Sequence, residues 1–157
     1  MIFKDSNQLN QVPRGRLLGI DVGTKRIGIA ICDELQVIAT PKLIINRQSN
    51  ERDFSKIRET ILENKIVASV IGLPLQMDGS QQEMTYFAQN FAQNFDEFLE
   101  KKLPLFFFEE RLSSFEARDF NNSQLSRQGK KSKNKFYDDI AASIILQHFL
   151  DELRAVF

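Results

Sequence analysis

The chain has 157 residues, 42% of them apolar and 27% charged, enough for one globular domain around a single core. Its 21 basic and 21 acidic residues cancel, so it carries no global field to hold nucleic acid. No apolar run reaches the length of a membrane span, and a lone Cys32 with a lone His148 excludes an intrachain disulfide and a Cys/His zinc site.

The first residues, "MIFKDSNQLNQVP", are polar and lack a signal peptide's apolar block, so residues 1–15 are expected to form a flexible tail ahead of one domain spanning 16–157, in the cytoplasm and away from membranes. Next, "LLGIDVGTKRIGIAICD" reads as a hairpin of strands 17–22 and 27–32, and "VIATPKLII" as a third strand interrupted at Pro41. "ERDFSKIRETILENK" places Phe54, Ile57 and Ile61 on one helical face, and "IVASVIGLPL" is a strand apolar on both faces. Ser80 with Glu83 forms a capping box for a helix whose stripe is Met84, Phe87, Ala88, Phe91, Phe95 and Phe98, a core face. "LPLFFF" is another buried strand, ending at Glu109 and Glu110, and Ser113 with Glu116 caps a short helix after it. "RQGKKSKNK" reads as a basic loop, and "FYDDIAASIILQHFL" as the closing helix. A hairpin, a third strand, then strands alternating with helices make an α/β domain with a mixed central sheet covered by helices on both faces.

Within this frame the carboxylates are unusual. Strand alternation puts Leu17, Gly19, Asp21 and Gly23 on one face, so Asp21 lies in a strand interior between two glycines. That stripped surface could be a helix packing groove with Asp21 capping a turn, but a turn acid needs no such cleared surface, so close approach by a ligand is the stronger expectation. Glu109 and Glu110 stand at a strand end, where sheet enzymes present reacting groups, and alternation sends one toward Asp21's face and the other away. Asp138 lies on the helical stripe of Ala141, Ala142, Ile145 and Phe149. Three separated carboxylates (Asp21, one of the glutamates, Asp138) suit hard divalent cations such as Mg²⁺ or Mn²⁺, which would relieve their mutual repulsion. Two ions together would stabilise the attacking and leaving oxygens of a phosphodiester. Lys25 and Arg26 in the hairpin turn, Arg111 after the acidic pair, and Lys130, Lys131 and Lys133 in the basic loop are the candidate contacts to a nucleic-acid backbone.

Four blocks in order, "GIDVGTKRIGIA", "VIGLPLQMDGS", "FEERLSSFEA" and "YDDIAASIIL", resemble the YqgF/RuvX family of Holliday-junction-resolvase-like nucleases, over roughly Arg16 to Leu150. The resemblance implies a ribonuclease H-like fold, metal ligands at Asp21, Glu110 and Asp138, with Glu109 a further catalytic candidate, and a nuclease that processes the 5′ end of precursor 16S rRNA. The family's Asp-Glu-Arg-Leu is Glu-Glu-Arg-Leu here, which leaves open which glutamate reaches the metals. Two other readings stand beside it: a resolvase of branched DNA, and a non-catalytic RNA-binding factor in ribosome maturation. A monomer or a weak homodimer is expected.

Overall fold

The computed structural model describes residues 1–3, 6–74, 79–109 and 130–156, with the backbone alone for 6–8, 79–82 and 130–139. Strands β1 (Ile2–Phe3), β2 (Arg16–Val22), β3 (Arg26–Cys32), β4 (Ala39–Asn46), β5 (Ile66–Leu73) and β6 (Leu105–Glu109) form one sheet in the order β1-β6-β5-β2-β3-β4. The helices are α1 (Asn50–Glu63), α2 (Gly79–Phe98) and α3 (Lys130–Val156), with a 3-10 turn at Ser6–Gln11. β2, β3 and β4 run antiparallel in sequence, whereas β2–β5, β5–β6 and β1–β6 pair in parallel. The mixed sheet expected from the order of elements is therefore present. Among the described residues no helix is long and apolar enough to cross a membrane.

Each face of the sheet buries its own layer. On one side α1 and α2 pack Phe54, Ile57, Ile61, Ala88, Phe91 and Phe95 against Leu18, Ile20, Ile29 and Ile71. Phe54 is the hub, with its ring 5.2 Å from both Phe91 and Phe95 and 5.5 Å from Phe98. α1 starts where its chemistry favours it, since Ser49 Oγ accepts from the Arg52 amide at 3.3 Å and Glu51 and Asp53 lie in the first turn. On the other side α3 lays Ala142, Ile145, Leu146, Phe149 and Leu150 on Leu17, Ala30, Ala68, Val70 and Phe106.

Four expectations need correction. The first residues do not form a loose tail throughout: Ile2 and Phe3 add an edge strand to β6, and the Phe3 ring stacks on Phe106 at 4.7 Å. Pro41 does not break β4 but sits opposite Ala30 at a register shift, the bulge being how a residue without an N–H stays in an edge strand. α2 begins at Gly79, so Ser80 lies inside its first turn and not at its cap. α3 begins at Lys130, so Lys130, Lys131 and Lys133 are helical and not part of a loop; Lys has good helix propensity, and a charge run does not by itself stop a helix. The short helix expected at Ser113 lies outside the described residues.

The stripped face around Asp21 also has a different cause from space for a ligand. A Cβ on Gly19 would stand 2.8 Å from the Leu146 Cβ and 3.0 Å from the Ala142 carbonyl oxygen, so this glycine exists for the close approach of α3. A Cβ on Gly23 would stand 2.6 Å from the Arg26 carbonyl oxygen, to which the Gly23 amide donates at 2.9 Å in closing the turn. Neither obstacle is a flexible side-chain tip. Gly19→Ala should therefore destabilise the fold by about 1–3 kcal/mol, read as a lower urea midpoint with an unchanged slope. An unaltered midpoint would mean that α3 can back away without cost.

Candidate metal-nuclease site

Asp21 is the next-to-last residue of β2, half-buried, on the face that carries Leu17 and Gly19 and is covered by α3. Its antiparallel neighbour across the pair is Gly28. On the other side Ile20 is in register with Ile71, so one residue further Asp21 lies alongside Gly72 of β5. The carboxylate is thus flanked by glycine on both adjoining strands. Gly72 was not singled out by the sequence, because only strand pairing reveals which residue lies beside an acid.

β6 comes next in the sheet. Its residues alternate between the two layers: Leu105 and Phe107 join the α1/α2 side, while Phe106 and Phe108 contact Phe149 of α3, with ring centroids 6.1 and 6.0 Å away. Glu109, in register with Leu73, closes the strand exposed, on the layer of Leu105 and Phe107 and hence opposite Asp21. Glu110 and Arg111 lie outside the described residues. Asp138 belongs to α3, one turn before Ala142, the residue whose carbonyl oxygen approaches Gly19. Lys25 in the β2–β3 turn and Arg26, the first residue of β3, are exposed. Among the described residues no three His, Cys, Asp or Glu side chains converge as a metal cluster.

Cys32 behaves as packing. It is buried beside α3, the Leu17 amide donates to its Sγ at 3.1 Å, and burial pushes its thiol above the usual value, which disfavours the thiolate a nucleophile or ligand requires. The carboxylate of Asp33 is held below its usual value, chiefly by the amides of Ile38 and Val37, so it organises the β3–β4 connection.

Comparison with known proteins decides the family. A family model described as "RuvX: Holliday junction resolvase" matches residues 15–152. The chain belongs to the RuvX family. Among its RuvX relatives, a Rhodobacter capsulatus protein is 40% identical over 144 residues, covering 90% of this chain and 87% of the relative. A Crocosphaera subtropica protein is 40% identical over 138 residues, covering 88% of this chain and 94% of the relative. Both carry the name "Putative pre-16S rRNA nuclease". In fold, the chain is similar to Thermus thermophilus RuvC bound to a Holliday junction, with a TM-score of 0.52, 11% identity, and coverage of 88% of this chain and 96% of RuvC. Free RuvC from the same organism gives 0.51. At that identity the likeness carries the fold alone: this RuvX chain has the ribonuclease H-like architecture expected from its four sequence blocks.

Proposed function

We propose that this chain is a divalent-metal-dependent nuclease that trims the 5′ end of precursor 16S rRNA. The observation that carries the reading is Asp21, an acid near the end of the central strand, flanked by Gly28 and Gly72 and facing the layer of α3. The names of the 40% identical relatives support precursor rRNA as the substrate.

The backbone periods support Asp138 as a second ligand. Two residues of strand advance about 6.6–6.8 Å, and one helical turn of four residues about 6 Å. For a helix running along β2 toward Asp21 from the Gly19–Ala142 contact, the step to Asp21 would be matched by the step to Asp138, since Leu146, Ala142 and Asp138 follow one stripe toward the helix start. The alternation within β6 favours Glu110 over Glu109: were the strand to continue extended past Phe106 and Phe108, position 110 would fall to the α3 layer. Asp21, Glu110 and Asp138 would hold Mg²⁺ or Mn²⁺, two ions in all, and the metal would stabilise the attacking and leaving oxygens of the phosphodiester. The oxygen-only donor set fits these hard cations.

The opening turns of α3 supply a grip for phosphate. Lys130, Lys131, Lys133 and Lys135 fall in the first turns of α3, at the positive end of the helix dipole and with no acid in the first turn, positions that a bound polyanion would favour. Helical spacing puts positions 131 and 135 on the stripe of Asp138. Replacing Lys130, Lys131 and Lys133 with alanine should weaken RNA binding across sequences and lower the salt slope by about 0.7–0.9 for each phosphate no longer neutralised, without affecting metal binding. Survival of both affinity and slope would place the grip elsewhere.

The deciding assay titrates Mg²⁺ and Mn²⁺ against a precursor 16S rRNA 5′ fragment and a four-way DNA junction. Metal-dependent cleavage of the RNA alone supports the proposal. Cleavage of the junction alone makes the chain a branched-DNA resolvase, and tight RNA binding without turnover makes it a maturation factor.

A further inference from the structure

Arg47 follows β4 directly, and nothing in its sequence context singles it out. Its side chain is only 16% exposed and joins three elements. Nε faces the Asp53 carboxylate of α1 at 3.5 Å, Nη2 donates to Asn50 Oδ1 at 3.0 Å, and Nη1 donates to the Gly23 carbonyl oxygen at 3.5 Å. The guanidinium lies over Phe87 and Phe91 of α2, 5.1 and 5.5 Å from their ring centroids. Its own backbone amide donates to the Lys25 carbonyl oxygen at 2.9 Å. Asp53 is 2% exposed; its Oδ1 accepts from the Gln48 amide at 3.3 Å and its Oδ2 accepts no hydrogen bond, so that amide and the neighbouring Arg47 charge together offset its burial.

The Arg47 side chain therefore ties the Gly23 carbonyl of the β2–β3 turn to the body of the α1/α2 layer, while the Lys25 carbonyl is held by its backbone amide, a bond that side-chain substitution leaves in place. The turn begins two residues after Asp21, and Lys25 within it and Arg26 where β3 begins are exposed. We infer that Arg47 is a positioning residue, holding the turn in the form in which Lys25 and Arg26 meet the phosphate backbone of the substrate. The inference rests on the proposed nuclease reading. A lysine cannot replace Arg47, because one ammonium lacks the fork that reaches Asp53, Asn50 and Gly23 together.

The test measures binding of a precursor 16S rRNA 5′ fragment between 50 and 200 mM salt without divalent metal, so that cleavage does not interfere. Four chains are compared with the unaltered one: Lys25→Ala/Arg26→Ala, Arg47→Lys, Arg47→Met/Asp53→Leu, and the last combined with the first. Removing both Arg47 and Asp53 leaves no buried unpaired charge, so that chain should fold even though Arg47→Met alone would strand Asp53. Lys25→Ala/Arg26→Ala should lower the salt slope by about 0.7–0.9 for each phosphate the turn neutralises. Arg47→Met/Asp53→Leu and Arg47→Lys should lower it similarly, and the combined chain should fall no further than Lys25→Ala/Arg26→Ala. A purely structural role would move the unfolding midpoint and leave the slope intact. If Lys25→Ala/Arg26→Ala flattens the slope and its effect persists undiminished without Arg47, the positioning role is overturned while the turn remains a contact. If Lys25→Ala/Arg26→Ala changes nothing, the turn is no contact at all, and the inference falls with that part of the nuclease reading.

Discussion

Asp21→Asn should abolish Mg²⁺- or Mn²⁺-dependent cleavage of precursor 16S rRNA while the protein stays folded. Asparagine keeps the shape and one acceptor oxygen but removes the charge that a divalent cation requires. Metal stabilisation of the reacting oxygens is worth several kcal/mol, and each 1.36 kcal/mol is tenfold in rate, so turnover should fall by about three orders of magnitude or more. Asp21 is half-buried and not a core residue, so the unfolding midpoint should hardly move. Asp138→Asn should behave alike. Cleavage and melting measured with and without metal check both substitutions, and unchanged turnover in either removes that residue from the site.

Glu110→Gln should cost far more activity than Glu109→Gln. Glu109 ends β6 on the layer of Leu105 and Phe107, the side of the sheet that Asp21 does not face. For Glu109 to join the same ions, the strand end would have to bulge, which reverses the alternation by one residue. Single-turnover rates for the two glutamine variants separate the cases: a loss comparable to that of Asp21→Asn is expected for Glu110→Gln, and a loss of less than about tenfold for Glu109→Gln. Equal and complete losses would mean that the one-in, one-out geometry is wrong.

The local periods of the chain were enough to read much of this molecule. Alternation over residues 17–32 foretold a hairpin with one bulky face, and the 3.6-residue spacing from Phe87 to Phe98 foretold the aromatic layer that closes on Phe54. Asp21 stood out because strand interiors seldom hold an acid, and the four sequence blocks were sufficient to point to the RuvX family. These features depend on neighbours a few residues apart, or on the order of motifs, and both are written along the chain.

What remained undecided depends on residues distant in sequence. Strand order put Gly72 beside Asp21, and no local pattern encodes which strand pairs with which. Gly19 looked like space for a ligand until α3, more than a hundred residues later, was found lying against it. The basic run has the charge of a loop, yet from Lys130 it is helix, continuous with a segment anchored by buried Ala142, Leu146 and Phe149. Arg47 gave no sequence signal because its partners come from a turn and two helices, and only the packed sheet brings Gly23, Asp53 and Phe87 around one guanidinium. Periodicity determined which faces are apolar; the tertiary structure decided what each face meets, because pairing and packing energies are summed over neighbours that the chain order does not contain.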